Sequence, residues 1–509
     1  MKQDIAFAMS SKEEEAIMIL SKLLEGLDFE LLSGRLHTDV KHLSYNSQEV
    51  SVGSLFLCIK GKKHDGHDFV QEVINRGATV VVVENNIQLQ TGKTTVVKVS
   101  NTREAMAIMA SNFYERPSDF FKLVGITGTN GKTSVTSMLS SVLMKLNQKV
   151  GTIGTLGYLV NNQRLDMKQT TPTTPESLDL QAVFSEMRRR EVQYVVMEVS
   201  SMALEMKRVS NLRFDVGIFT NLTQDHLDDH GTLENYKMAK LKLFPLSERA
   251  VVNIDDEISG EVCEQVSGEL ITYSINNSSI LKATEWKNDI SGSSFTLVYE
   301  GSNYNVKTII PGLFSVYNAL AVIGTCIQFG FQIENIISAL SETHATPGRF
   351  EVVETHQNFT VIVDYAHSPD SLENIMKTIK SFSINRLITV FGCGGNRDRT
   401  KRPIMGTIAN EYSDVCVITS DNPRYEDPGV IIQDILKGIK DMKKVHVHID
   451  RKTAIKNALK LAQEGDVILI AGKGNEDYQI IGDEIIHFDD REVVRTILKE
   501  NIVNHQEPK

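Results

Sequence analysis

Seven times along this 509-residue chain an apolar run gives out abruptly into a glycine-rich or polar loop. The stretches are FKLVGITGTNGKT, YVVMEVSS, VGIFTNLTQDH, VIVDYAHSP, LITVFGCGGNRD, VCVITSDNPR and VILIAGKGNE. Each reads as a buried strand running out into a polar loop, and amphipathic helical stretches lie between the runs. That alternation predicts α/β architecture built on parallel sheets. Ligands of open α/β sheets bind outside the carboxyl ends of the strands. Seven such runs across two domains therefore predict two sheets whose active edges face a common cleft.

A chain of this length is too long for one hydrophobic core. One boundary is expected at YERPSDFF (Tyr114 to Phe121), where Pro117 and Ser118 break a helical segment, and another near ETHATPGRFEVV (Glu342 to Val353). The expected domains are 1–115, 116–345 and 346–509, the first carrying the early apolar run ATVVVVE (Ala78 to Glu84). A formal charge of −11 argues against nucleic acid or an anionic membrane surface as the main partner. No uninterrupted apolar run reaches the roughly 18 residues of a membrane span. The opening MKQDIAFAMSSKEEEAIMILSKLL reads as a charged helix without a signal-peptide pattern. Glu13–Glu15 and Arg188–Arg190 read as solvated helix faces, and the tail NHQEPK as frayed. Five scattered cysteines without zinc spacing point to free thiols and a reducing compartment. Cys393, among glycines, reads as a small buried residue rather than a nucleophile.

The stretch GITGTNGKTSV, Gly125 to Val135, carries the first chemistry. Gly128 and Gly131 can take positive φ and bare their N–H groups to an anion. Lys132 would reach outer phosphates, while Thr133 opens a helix and offers a hydroxyl to Mg²⁺. The pattern G-x-x-x-x-G-K-[ST] wants a glycine at Ile126, and Gly125 stands one residue early. Strand before and helix after still favour a nucleotide site over a plain turn. Glu198 ends a strand of valines, where a carboxylate needs a partner or a metal. His226 and His230 have the i,i+4 spacing of a zinc pair but lack a third ligand, so a structural or magnesium-site histidine is favoured. The helix ENYKMAKLKLF, Glu234 to Phe244, carries Lys237, Lys240 and Lys242, and spacing alone favours a solvated basic face. Near the end, GCGGNRDRTKRP and SDNPRYEDP place Arg397 and Arg424 in loops after strands, suited to bidentate capture of a carboxylate. A capped helix start with a surface arginine would fit DNPR equally well.

Together these residues resemble the Mur ligase family, the ATP-dependent amino-acid ligases of peptidoglycan precursor synthesis. The similarity runs from YNSQEVSVGSLFLCIKGKKHDGHDF through GTNGKT, TTPTTPESLDLQ, MEVSSMALEMKRV, TNLTQDHLDDHG, YKMAKLKLF, LFSVYNALAV, PGRFEVV and VDYAHSPDSL to GKGNEDYQ. It is nearest the diaminopimelate-adding members, whose signature is DNPR. The family's phosphate loop is a compact G-x-N-G-K-[TS], which removes the need for a distal glycine. The resemblance implies a small α/β N-terminal domain that binds the uridine diphosphate, a central P-loop-type ATP-binding sheet and a C-terminal Rossmann-like domain for the amino acid.

The resemblance further implies a cytoplasmic, monomeric enzyme using ATP, Mg²⁺, UDP-N-acetylmuramoyl-L-alanyl-D-glutamate and meso-diaminopimelate. A related ligase adding lysine, ornithine or another amino acid, or using another acceptor, is the alternative, and lysine lacks the second carboxylate Arg424 would hold. Gly128, Thr129, Asn130, Gly131, Lys132, Thr133, Ser134, Asn318 and Arg349 match ATP positions. Thr133, Glu198 and His226 match metal positions, with Lys132, Lys240 and His226 as catalytic groups. Lys240 matches a lysine carried as a carbamate, against the solvated-face reading. Asp364 matches a hinge position. Ser47, Lys62, Lys63 and His64 match the uridine region, and Thr173, Thr174, Ser200 and Arg208 the muramoyl peptide. Arg397, Asp421, Asn422, Pro423, Arg424, Gly472 and Glu476 match the amino-acid pocket, with Glu476 receiving an ammonium. The chain departs from the family at Asn46-Ser47-Gln48 for D-S-R, at Met202 for the histidine of S-S-H, at Met206 for a glutamine, and at Asn475 for the histidine of G-K-G-H-E.

Overall fold

A computed structural model describes residues 17–504 apart from 62–63, 87–93, 226, 290, 344 and 383. The expected N-terminal helix and the run Glu13–Glu15 lie largely outside the described residues, which show a helix only at Leu20–Leu23. The chain divides into two compact units. The smaller holds Met1–Phe120 together with Met167–Glu191 and Ala203–Leu212; the larger holds Phe121–Asp166, Val192–Met202 and Arg213–Lys509.

The smaller unit is a five-stranded sheet in the order Phe29–Ser33, Thr95–Val99, Val80–Val83, Ser54–Leu57 and His42–Ser44. The first pair is antiparallel and the others parallel. The run around Val80–Val83 is buried throughout, because β-branched side chains of a central strand are covered on both faces. Helix Thr102–Phe113, capped by the Asn101 side chain on the Glu104 N–H at 2.9 Å, packs against helix Ser177–Arg189. Arg188 lays its guanidinium over the Phe120 ring, while Arg189 and Arg190 pair with Glu186 at the surface.

The larger unit contains two sheets. The first has eleven strands, of which seven run parallel in the order Val150–Gly154, Tyr194–Glu198, Lys122–Thr127, Phe214–Phe219, Ser247–Asn253, Leu270–Ser274 and Leu281–Asp289. Helices Lys132–Lys145 and Leu313–Gln328 cover it through a core that includes Val135, Leu139, Val316 and Leu320. The second sheet has six strands in the order Glu351–Val353, Thr360–Asp364, Val467–Ala471, Leu387–Phe391, Val415–Ile418 and Val445–Val447, all parallel except the first. Alternate residues of one strand serve opposite cores: Leu387 and Phe391 face helices Pro369–Lys380, Lys401–Tyr412 and Pro428–Leu436. Ile388 and Val390 face Arg451–Leu461 and Asp490–Asn504. Helix Pro369–Lys380 shows why such segments are helical. Ser368 and Ser371 form a capping box, Pro369 takes the first turn, and Leu372, Ile375, Met376 and Ile379 recur at 3.6-residue spacing on the buried face.

All seven apolar runs are strands of these two sheets, three in the first and four in the second, each parallel to its neighbours except Thr360–Asp364, which is parallel to Val467–Ala471 and antiparallel to Glu351–Val353. Among the described residues no helix is long and apolar enough to cross a membrane. The five cysteines are free. Cys393 is buried, and that burial pushes its thiol up to about 12, which keeps it un-ionised.

Candidate active site

The strand Lys122–Thr127 delivers the loop Gly128 to Gly131 at its carboxyl end, and helix Lys132–Lys145 begins immediately after. Gly131 sits at φ 89°, a left-handed conformation that glycine adopts without strain. Gly128 is glycine for lack of room: an added Cβ would lie 1.9 Å from Thr220 Oγ1. The neighbouring strand Phe214–Phe219 supplies the loop's supports. Thr220 Oγ1 donates to Asn130 O at 2.7 Å, and Asn221 Oδ1 accepts from the Asn130 N–H at 2.9 Å. Thr223 and Tyr236 bond Thr129 Oγ1. The loop is thus fixed by hydrogen bonds from the protein itself, the kind of rigid support that electrostatic catalysis requires.

Two lysines converge on one carbonyl. Lys132 Nζ donates to Gly128 O at 2.8 Å and to Thr129 O at 2.9 Å. Lys240 Nζ donates to the same Gly128 O at 2.7 Å and lies 4.2 Å from the Tyr236 ring centroid. Helix Leu233–Leu241 does not present Lys240 to solvent, as spacing alone suggested: the residue is 1% exposed. Lys237 of the same helix is half-buried and paired with Glu234 and Glu261, and Lys242, just past the helix, is the exposed lysine. Burial, and then the Lys132 charge, hold the Lys240 amine well below the usual lysine range. Burial also lowers Lys132.

Glu198 is 1% exposed at the end of its strand, bound by Thr133 Oγ1 at 3.0 Å, Thr155 N at 2.8 Å and Thr155 Oγ1 at 3.1 Å. Arg349, from just before the second sheet, donates Nη2 to Thr133 Oγ1 at 3.3 Å and lays its guanidinium 4.3 Å from the Tyr365 ring centroid. Asn130 Nδ2 reaches Asp370 Oδ2 at 2.7 Å. Asn318, on helix Leu313–Gln328, stands against Gly131, where a Cβ would come within 3.0 Å of its Oδ1. Asp364 accepts from the N–H groups of Phe350 and Ala366, each at 2.7 Å, and burial raises its pKa. Ser134 follows Thr133 in the first turn of the helix. His226 lies outside the described residues, and His230 Nε2 contacts Ser201 Oγ at 2.9 Å. Among the described residues no three His, Cys, Asp or Glu side chains stand together as a metal cluster.

The second sheet gathers the residues expected to bind the amino acid at the carboxyl ends of its strands. Asn422 Nδ2 and Lys473 Nζ both donate to Glu476 Oε2, at 2.8 and 3.0 Å. Burial raises the Glu476 pKa, opposed by Lys473, which is 0% exposed. Asn422 Oδ1 accepts from Ile480 N at 3.0 Å, and Asp421 Oδ1 accepts from Asn422 N at 2.6 Å. Pro423 precedes Arg424, whose backbone is left-handed at φ 54° and pinned by Arg424 N to Ile480 O at 3.0 Å. Its Nη1 donates to Gly395 O at 3.0 Å, while Nη2 has no partner among the described residues. Arg397 stands in the same glycine-rich loop as Gly395. The backbone at Gly472, with φ 116°, favours glycine, because an added Cβ would lie 2.6 Å from Asp421 Oδ2 and force that carboxylate to shift.

The remaining residues fall mostly in the smaller unit. Asn46, standing where the family has Asp, caps the turn Ser47–Glu49 by accepting from Gln48 N at 3.1 Å. His64 lies edge-on to Phe69, and Lys62 and Lys63 lie outside the described residues. Arg208 joins Thr174 O at 2.9 Å and Glu176 at 2.8 Å, beside Thr173. Ser200 belongs to the larger unit, two residues past the strand ending at Glu198. Sequence reasoning missed Thr155, Asp370, Lys473 and Arg451. Asp370 and Lys473 sat within quoted motifs, whereas Thr155 and Arg451 left no local signal.

Comparison with known proteins fits this geometry. Residues 39–114 match the Mur ligase family catalytic domain, 126–326 the Mur ligase middle domain, and 348–474 the Mur ligase glutamate ligase domain. The chain is 46% identical over 485 residues to UDP-N-acetylmuramoyl-L-alanyl-D-glutamate--2,6-diaminopimelate ligase 1 of Clostridium acetobutylicum, covering 95% of this chain and 100% of that protein. It is 47% identical to the similarly named ligase of Caldanaerobacter subterraneus subsp. tengcongensis, again over 95% and 100%. A solved structure of a UDP-N-acetylmuramoyl-L-alanyl-D-glutamate--2,6-diaminopimelate ligase superposes with a TM-score of 0.68 at 28% identity, covering 96% of this chain and 100% of that one. The MurF ligase of Thermotoga maritima in complex with ADP shares the fold at a TM-score of 0.63 and 18% identity, covering 91% and 98%. With its three domain matches in order and such identity over nearly its whole length, the chain belongs to the Mur ligase family.

Proposed function

We propose that this protein joins meso-diaminopimelate to UDP-N-acetylmuramoyl-L-alanyl-D-glutamate at the expense of ATP, in the cytoplasm, as a step of peptidoglycan precursor synthesis. The observation that carries this reading is the bond from Arg349 to Thr133, which sets a guanidinium of the amino-acid side of the molecule on the phosphate loop. A carboxylate is a poor electrophile. Its attack on the γ-phosphorus of ATP releases ADP and leaves an acyl phosphate, whose carbonyl carbon a neutral amine then attacks. Phosphate departs from the tetrahedral intermediate, and the amine sheds its proton. Lys132 and Arg349 would neutralise charge on the transferring phosphoryl group.

Thr133 and Glu198 form a hard oxygen pair suited to Mg²⁺, with His226 as a further ligand. Mg²⁺ bound there would supply Lewis-acid stabilisation of phosphoryl oxygens. The depressed Lys240 amine is in the form that adds carbon dioxide, because only a neutral amine is nucleophilic. The resulting carbamate would turn a cation into an anion beside the metal site. Ser47, Lys62, Lys63, His64, Thr173, Thr174, Ser200 and Arg208 are assigned to the UDP-muramoyl dipeptide. Gly128 to Ser134 and Asn318 are assigned to ATP. Arg424 and Arg397 would grip the far carboxylate of diaminopimelate, with Asp421, Asn422, Gly472 and Glu476 around its ammonium. The domains are assigned as 1–115, 116–345 and 346–509, acting in one monomer.

The test supplies ATP, Mg²⁺ and the UDP-muramoyl dipeptide with a panel of amino acids, and follows phosphate release and product mass. Amide product with meso-diaminopimelate is expected. Turnover with lysine but not diaminopimelate would overturn the specificity, and phosphate release without amide would overturn ligation.

A further inference from the structure

We infer that Arg451, held by Asp490, is a positioning residue that fixes the two loops of the amino-acid pocket against each other. The inference rests on the assignment of that pocket above. Arg451 and Asp490 are both 0% exposed in their side chains, and they form a two-pronged pair: Nε to Oδ1 at 2.8 Å and Nη2 to Oδ2 at 2.7 Å. Two further N–H groups of the guanidinium bond backbone carbonyls. Nη2 reaches Ala471 O at 3.0 Å, and Nη1 reaches Ser420 O at 3.4 Å. Those carbonyls directly precede Gly472 and Asp421.

The approach of these loops leaves no slack. A Cβ on Gly472 would stand 2.6 Å from Asp421 Oδ2, so the absence of a side chain at Gly472 is what lets that backbone pass close to the Asp421 carboxylate. Downstream of the same two carbonyls lie Asn422 and Glu476, joined at 2.8 Å. Arg451 is thus one planar fork joined to both strand ends, with hydrogen bonds to their backbone carbonyls and to Asp490 and a charge that also acts on Asp421 and Glu476. A lysine has a point charge and cannot span two carbonyls and a carboxylate in one plane.

The experiment compares the wild type, Arg451→Lys and the pair replacement Arg451→Met with Asp490→Leu, measuring KM for diaminopimelate and for ATP alongside thermal melting. Both variants are expected to raise the diaminopimelate KM by about tenfold or more, since misplacement of binding groups by a fraction of an ångström is costly. The ATP KM should stay within about twofold, and Arg451→Lys should lie between the wild type and the pair replacement. Equal shifts in both constants, or an unshifted diaminopimelate KM in a folded variant, would overturn the role. Loss of folding in both variants would make the pair a folding element and overturn it too. Wild-type enzyme in the same assay separates the readings: no amide product there defeats the pocket assignment, whereas normal wild-type turnover with unshifted variants defeats Arg451 alone.

Discussion

Replacing Lys240 by methionine tests whether the buried amine is kept proton-poor. In the fold its Nζ donates at 2.7 Å to a carbonyl it shares with Lys132, and the residue is 1% exposed. Its ordinary value is 10.5, and the folded value lies well below that. Between those two values the unfolded chain binds more protons than the folded one. Each unit of falling pH in that window therefore weakens the wild-type fold by up to about 1.4 kcal/mol, and above the unfolded value the effect vanishes. Methionine fills similar space without the charge and escapes the penalty. The melting temperature of Lys240→Met minus that of wild type should grow as pH falls below 10.5. For a cooperative unit of roughly 350 residues the slope is up to about 2 °C per pH unit. Calorimetry in buffer stripped of carbon dioxide, without nucleotide, reads it directly. Bicarbonate should then raise the wild-type melting point by binding the folded amine, and leave the variant unmoved. A flat or reversed slope would refute the reasoning, because Lys240 would then keep its proton in the fold. Amide formation by the variant should fall by about 100-fold or more.

Gly472→Ala must strain a left-handed backbone and press on Asp421, so about 1–3 kcal/mol of stability should be lost. Its diaminopimelate KM should rise while ATP binding, followed by nucleotide titration, holds. Glu198→Gln keeps an acceptor for Thr155 N and removes the charge, so the Mg²⁺ concentration for half-maximal activity should rise by about tenfold or more. An unchanged Mg²⁺ requirement would remove Glu198 from the metal site. A thiol reagent on native protein should modify Cys263 first, since Cys58, Cys326, Cys393 and Cys416 are buried. Rapid reaction of three or more thiols would contradict that burial.

The phosphate loop was legible in the sequence because its requirements are local: glycines at Gly128 and Gly131, a strand before, a helix start after. The Arg424 turn was legible for the same reason. Lys240 was not legible from spacing, since its helix shows lysines at several positions and no local pattern marks the buried one; only the family resemblance singled it out. Glu476 was expected to await a substrate ammonium; the fold already gives it Lys473, three residues earlier, whose burial no local pattern announces.

By itself the sequence determined the seven strands, their polar loops and the capped helices, because strand periodicity and cap chemistry are settled within a few neighbouring residues. Only the tertiary structure decided which ionisable groups are buried and what each of them meets. Lys240 meets Gly128 across 112 positions and Arg451 meets Asp490 across 39. It likewise decided that Met167–Glu191 and Ala203–Leu212 belong with the N-terminal sheet. A buried charge is tolerable only beside its partner, and partners so far apart along the chain become neighbours only when the sheets between them have formed.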